Sequence, residues 1–331
     1  MRIAYIGDLS VGSTSKSRFD AISLANNGDV LEIDISIPIK KTFRIFRSLG
    51  WRFYKGPLIN NINKFLINKL VGQFDIIWID KGYFIHPKTL LKVKANTKKL
   101  VHYTPDVAFL KYQSKLFTSS LDIYDICYTT KSFEIELYKK NKCREVVFCT
   151  QGYNSTMHLH EINFEQKEGV IFIGLFEESR KKVIEILITN QIKVKVGGVG
   201  WYTFYLKNRN NPYLEYLGAK VFGGEYINEI SKSLFGLGLL TKRFIELHTT
   251  RTFEIPACNT ILITERNAET LSFFDSKEVI FFDDFFEIPF LIKNQRNHQE
   301  IATNGRNRVI SDLRDYNSYF KREFEFRLKE L

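Results

Sequence analysis

The sequence predicts an α/β protein of two doubly wound domains facing each other across a cleft, each an open, mainly parallel sheet with helices on both sides. Three observations carry this expectation. Short apolar runs ending in Gly or polar turns alternate with stretches of helical spacing, the pattern of βαβ units. That pattern pauses at a polar connection, HLHEINFEQKEG at 158–169, and then restarts at similar length. The chain has 331 residues, room for two domains of about 150 residues each.

The elements follow in order. RIAYIGDL (2–9) reads as a buried parallel strand stopped by Gly7 and Asp8. A loop of small residues, SVGSTSKS, leads into RFDAISLANNG, which has helical spacing and a Gly stop. VLEIDIS (30–36), FDIIWIDKG (74–82), KKLVHYTPD (98–106) and YDICYTT (124–130) are further strands, separated by helical stretches such as KTLLKVKANT and FEIELYKKN. After the polar connection come GVIFIGLF (169–176), the helix EESRKKVIEILITNQ, and the strands IKVKVGG, YLEYLGAKVF and SLFGLGLL. A helix around TRTFEIPAC, then TILITE and EVIFFDD, complete the second unit, and the charged tail from about Asn297 to Leu331 is helical. The expected division is 1–165, 166–310 and a C-terminal helix at 311–331 returning to the first domain.

Composition narrows the function. Hydrophobic residues make up 44% of the chain, with 29 Phe and 16 Tyr, too many for a disordered chain. No run approaches the ~20 apolar residues of a membrane span. The start, MRIAYIGDLSVGS, does not read as a signal peptide, so a cytoplasmic protein is expected. The four cysteines show no ligand spacing and read as small buried hydrophobes. The formal net charge of +11 points to an anionic partner: nucleic acid, nucleotide phosphates or an acidic membrane surface.

The chemistry concentrates in HTTRTFEIPACNTILITE, 248–265. His248, Thr249, Thr250 and Arg251 place hydroxyls, amides and a guanidinium at a loop-to-helix junction, a phosphate-binding arrangement. Glu254, one helical turn on, is suited to accept from ribose hydroxyls; alternatively Arg251 and Glu254 form a surface i, i+3 ion pair. Gly174 ends a strand and opens a helix, either to bring its amide against a diphosphate or as a simple tight turn. Gly198 and Trp201 either line a nucleobase pocket or, for the Trp, plug the core. Val221 and Phe222 form another turn suited to base contact. In the first domain, Gly12, Ser13 and Thr14 make a small-residue loop, without the Gly-x-Gly-x-x-Gly of dinucleotide sites. His102 and Asp106 follow a strand expected to end at the cleft, where either group can deprotonate an acceptor hydroxyl. The alternatives are a structural His and a turn or capping Asp. Asp80, Lys81 and Gly82 end another strand at that edge.

The 248–265 segment resembles the C-terminal signature of the CgeB-like glycosyltransferases, a GT-B-fold group. VIFIGLFEESRKKVIEIL, with Gly174 and Arg180, is similar to that group's opening of the second domain. IKVKVGGVGW fits its Gly-x-Gly-Trp turn at Gly198, Gly200 and Trp201, and VFGGEYINEISKSLFGLGLL fits its Tyr-containing helix and next strand. The likeness covers about 72–310 and departs at Asn259, where the group has Gly; Asn tolerates the left-handed turn. Glu246 and Glu254 also match the Glu-x7-Glu of a large retaining GT-B family, in which the second Glu binds ribose. The resemblance implies a GT-B glycosyltransferase whose second domain holds a nucleotide-diphosphate sugar, UDP- or GDP-linked. It implies donor contacts at Gly174, Arg180, Gly198, Trp201, Phe222, His248, Thr249, Thr250, Arg251 and Glu254. The first-domain loop Gly12–Thr14 and Asp80 would then serve the diphosphate or a glycan, lipid-linked or protein acceptor.

No Asp-x-Asp occurs, so neither a metal nor another cofactor is expected, and leaving-group charge falls to Arg251, amides and hydroxyls. KKTFRIFRSLGWRFYKG at 40–56 sets six cations among seven large apolar side chains. It reads as an amphipathic helix lying on an anionic membrane or as an irregular helix packed on the first domain. Nucleic acid is not the expected partner, because no recognised module appears. The competing functions are a basic nucleic-acid-binding protein and a GT-B-like scaffold without activity.

Overall fold

The computed structural model describes residues 1–110, 114–155 and 162–328. It divides into two compact units, Met1–Thr150 with Tyr316–Leu331, and Gln151–Asp315. Among the described residues no helix is long and apolar enough to cross a membrane.

The first unit holds six parallel strands: β1 (Ile3–Gly7), β2 (Val30–Asp34), β3 (Phe74–Asp80), β4 (Thr97–Thr104), β5 (Ile126–Thr129) and β6 (Val146–Phe148). Their order is β2-β1-β3-β4-β5-β6, and every pairing is parallel. Both faces are covered, so the strands read as continuous apolar runs whose alternate residues enter opposite cores. In β3, Ile77 and Ile79 face one core while Ile76 and Trp78 face the other. The order reverses between β1 and β3, and the carboxyl ends of those two strands mark the switch point.

The second unit repeats the plan with β7 (Val170–Ile173), β8 (Val194–Gly197), β9 (Leu214–Gly218), β10 (Phe235–Gly238), β11 (Ile261–Glu265) and β12 (Ile280–Phe282). The order is β12-β11-β10-β7-β8-β9, the doubly wound dinucleotide-fold order with its switch point between β7 and β10. Val170 and Phe172 enter one core, Ile171 and Ile173 the other.

Three features differ from the sequence expectation. The units part at Thr150/Gln151 instead of 165, because Tyr153 is already buried in the second unit's core and pairs with Asp315. The tail is two helices, His298–Ser311 and Tyr316–Phe326, broken where Leu313 turns left-handed. The first belongs to the second unit, and the second lays Tyr316, Phe320 and Phe324 into the first unit's core. There Phe320 meets the Trp78 ring edge-on at 5.3 Å, and Glu323 accepts the Tyr128 hydroxyl at 2.6 Å. Strand β6 was not expected: three apolar residues after the charged Arg144–Glu145 carry too little pattern. Of the polar connection, residues 158–161 lie outside the described residues, as do 329–331 of the tail.

Candidate active site

In the second unit the switch point is lined by arginines. Arg251 opens the helix Arg251–Ala257. It donates from Nη1 to the Ile173 carbonyl at the end of β7 and from Nη2 to the Leu239 carbonyl after β10, each at 3.3 Å. Arg180, on the helix Glu178–Thr189, reaches the same Leu239 carbonyl at 3.3 Å and the Leu175 carbonyl at 3.1 Å. Both guanidiniums lie over the Phe172 ring, at 5.5 and 5.6 Å from its centroid. Two like charges thus share one carbonyl and one aromatic face.

The sequence sets nearby carboxylates against this repulsion. Glu177, buried, pairs with Arg180 at 3.2 Å and accepts from the Thr241 hydroxyl at 2.8 Å. Glu246 accepts the Thr241 amide at 3.1 Å. Burial first, then Arg251, push the Arg180 guanidinium down to about 10, with Glu177 and Glu246 opposing. A cluster whose own cations depress one another is better satisfied by an added anion. The Nε atoms of Arg180 and Arg251 are buried without a hydrogen-bond partner among the described residues.

Glu254 accepts from the Tyr226 hydroxyl at 2.6 Å. Burial and this carboxylate together drive the Tyr226 phenol well above its usual range. The alternative Arg251–Glu254 ion pair is absent, because the two side chains turn to these other partners. Glu246 sits on the Thr241 turn beside Arg180, so both members of the eight-residue Glu spacing belong to this neighbourhood.

His248 is buried and serves structure. Its Nε2 accepts the Gln151 amide at 3.0 Å and its Nδ1 meets Glu269 at 2.5 Å, with Phe253 and Phe273 edge-on to the ring. It therefore ties the entry to the second unit to the signature loop, and no phosphate reaches it. Thr249 is also buried; its amide bonds Thr252, and its hydroxyl has no partner among the described residues. Thr250 is half-buried at the N-cap, its carbonyl accepting the Phe253 and Glu254 amides.

The glycine and tryptophan expectations are corrected. The Gly174 amide is spent on the Gly197 carbonyl at 2.9 Å, and its own carbonyl accepts Trp201 Nε1 at 2.9 Å. Gly198 gives its amide to Gly218 and has φ +119, where an added Cβ would lie 2.2 Å from the Gly174 oxygen. These two glycines let adjacent turns touch; their amides are not open to a diphosphate. Trp201 is fully buried against Phe172, Phe176 and Phe204, so it plugs the core and stacks on no base. Phe222 is 44% exposed and stays available for base contact. Asn259 takes φ +54, so the turn survives without Gly.

In the first unit His102 faces the core of its own sheet. It is wholly buried beside Phe117 and Tyr124, and burial drives it down to about 3. A group sealed there meets no acceptor, which corrects its reading as a base. Asp80 is likewise sealed: it accepts from Tyr5 Oη and Arg18 Nε, each at 2.8 Å. Its pairing with fully buried Arg18 closes the β1/β3 switch point from beneath, which removes Asp80 from acceptor contact. Ser13 caps the helix Thr14–Ala25, accepting the Lys16 amide, with Gly12 turning at φ +83 before it.

Asp106 remains at the edge, 29% exposed and 2.8 Å from Lys81 Nζ. Burial lowers the Lys81 ammonium, but Asp106 and Asp80 outweigh it and hold the group above its usual value. Sequence reasoning passed over two neighbours. Lys131 follows β5, and Glu134, fully buried, accepts the Ala108 and Phe109 amides at 3.0 and 2.9 Å, shaping the loop that carries Asp106. The polar TTKSFE after an apolar strand was the available signal. Glu177 and Tyr226 were missed similarly, though the i, i+3 spacing of Glu177 and Arg180 signals their pairing. Among the described residues no group of three or more His, Cys, Asp or Glu is placed to hold a metal.

Residues 177–317 match the family model of glycosyl transferase-like proteins. No curated protein matches the chain in sequence. Solved structures match its fold along the whole length. One is Anabaena HepE in complex with UDP and glucose, at TM-score 0.65 and 12% identity, covering 100% of both chains. Another is the E. coli trehalose-6-phosphate protein bound with UDP-2-fluoro glucose, at TM-score 0.65 and 10% identity over 100% of this chain and 99% of that one. A third is the UDP-forming trehalose-phosphate synthase of Burkholderia xenovorans, at TM-score 0.65 and 10% identity over 99% and 98%. At this identity the likeness establishes the GT-B fold.

Proposed function

We propose that this glycosyltransferase takes its sugar from a nucleoside-diphosphate donor, UDP-linked by preference, and passes it to a hydroxyl of a glycan, lipid-linked saccharide or protein. The observation that carries the reading is the Arg180–Arg251 pair at the β7/β10 switch point, like charges poised for an anion where doubly wound sheets bind ligands. Three similar folds are solved with, or named for, UDP chemistry, which supports uridine as the first donor to test. Within the glycosyl transferase-like class we read the chain as CgeB-like, working in surface-polysaccharide assembly in the cytoplasm.

Arg251 and Arg180 take the diphosphate, Glu254 the ribose hydroxyls, and Phe222 one face of the base. Thr249 and Thr250 add hydroxyls beside the phosphates. In transfer, the acceptor oxygen bonds to the anomeric carbon and the bond from that carbon to the diphosphate breaks. The electron pair leaves on the diphosphate, where the two guanidiniums stabilise it without a metal. Asp106, held by Lys81, receives the acceptor proton, and the Gly12–Thr14 loop stands by the same sheet edge. The test is thermal unfolding against UDP-, GDP-, TDP- and CMP-sugars, since a ligand that binds only the folded state raises the melting temperature. A rise with UDP-sugars is expected; no rise with any of the four overturns the reading.

A further inference from the structure

The helix Arg44–Phe53 stands almost free of the unit that carries it. Of its ten residues only Gly50 is buried. Gly50 lies so close to the next helix, Pro57–Lys69, that an added Cβ would meet Leu58 at 2.7 Å. Trp51 meets Phe84 edge-on at 4.5 Å, and Arg47 is half-buried. These three residues hold one side of the helix to the domain. At helical spacing Ile45, Leu49, Phe53 and Phe46 fall within about 100° of arc on a different side. Each of the four is at least 42% exposed, and Phe43 at the N-cap is 73% exposed. A solvated surface helix would place polar side chains there.

Charge gives the second observation. Between Asp34 and Asp75 the sequence has eight Lys and Arg and no acid. Lys40, Lys41, Arg44, Arg52 and Lys55 are exposed at the two ends of the helix, and none is in an ion pair among the described residues. The exposed apolar stripe suits a fluid apolar phase, while flexible cations lie at the level of anionic headgroups.

We propose that the Arg44–Phe53 helix is a membrane-docking element that seats this protein on an anionic lipid surface, with Ile45, Phe46, Leu49 and Phe53 entering the acyl boundary. The element belongs to the first unit and the donor-binding residues to the second, so the proposal holds or falls separately from the donor assignment. An acidic protein partner is the competing occupant, and vesicles without protein decide between them.

The experiment is flotation of the full chain with vesicles of phosphatidylcholine containing 30% phosphatidylglycerol, against pure phosphatidylcholine, at low and high salt. Binding to the anionic vesicles that salt weakens is expected. Each cation near such a surface contributes about fivefold to partitioning, so Arg44→Gln with Arg52→Gln should weaken it about thirtyfold. Phe46→Ser with Phe53→Ser should also detach the protein, and Phe46→Trp should show an emission blue shift on adding anionic vesicles. With Trp51, 47% exposed on the same helix, replaced by Phe in that variant, Trp78 and Trp201, fully buried, give a constant background. All variants lie on the surface, and unchanged melting and UDP-sugar response would show them folded. No flotation of the native chain with anionic vesicles overturns the proposal, as does flotation indifferent to lipid charge or to both double variants.

Discussion

Replacing Arg251 with alanine should weaken UDP-sugar binding about 10- to 150-fold. Hydrogen bonds from a charged group contribute about 1.5–3 kcal/mol net, and each 1.4 kcal/mol is tenfold in affinity. The guanidinium spends two N–H groups on carbonyls at 3.3 Å, long contacts, while its buried Nε lacks a partner among the described residues. With five N–H donors on a guanidinium, the second hydrogen on each Nη is the capacity left for a phosphate. The native fold should lose only about 1 kcal/mol, because Leu239 keeps Arg180 and only the Ile173 carbonyl is left bare. In thermal unfolding, a donor at about 100 times its Kd stabilises by about 2.7 kcal/mol, and a Kd thirtyfold weaker leaves about 0.9 kcal/mol at the same concentration. Arg251→Lys should fall between, since it keeps charge but not the fork. Isothermal titration with UDP measures the Kd directly. A Kd unchanged within threefold, in a variant that melts lower, would make Arg251 a strut between β7 and β10 and refute the site.

Gly198→Ala should cost about 2–4 kcal/mol, from the left-handed backbone and the collision with Gly174, and calorimetry should show lower melting; an unchanged transition contradicts the close packing of these turns. His102 falls from 6.5 to about 3 in the fold. Its contribution is thus fully present above pH 6.5 and lost as pH falls toward 3, about 4–5 kcal/mol in all. His102→Gln should flatten urea-unfolding stability over that window and keep turnover; lost turnover in a folded variant would restore a catalytic role. Asp106→Asn should lower kcat about 10²- to 10⁴-fold while leaving the donor-induced melting shift intact, and an unaffected kcat removes Asp106 as the base. Turnover should persist in excess EDTA, and activity lost to EDTA and restored by Mg²⁺ would place a metal on the diphosphate.

The strands were legible because a sheet buried on both faces needs unbroken apolar runs, and runs such as Phe74–Asp80 and Ile261–Glu265 can do little else. The Arg251–Glu254 neighbourhood was legible too, through residue types at one helical turn. The apolar and cationic content of 40–56 was equally plain, but not which side of its helix meets the domain. What the sequence by itself determined, then, is the pair of α/β units and the segment that sets Arg251 and Glu254 one helical turn apart, because period and composition are local properties. Only the tertiary structure decided that His102, Asp80, His248 and Trp201 are sealed inside, that Arg180 joins Arg251 on one carbonyl, and that Glu177 and Tyr226 complete the cluster. Those facts depend on which elements pack together, and a polar residue at a strand's end looks the same in sequence whether it turns to solvent or into the core.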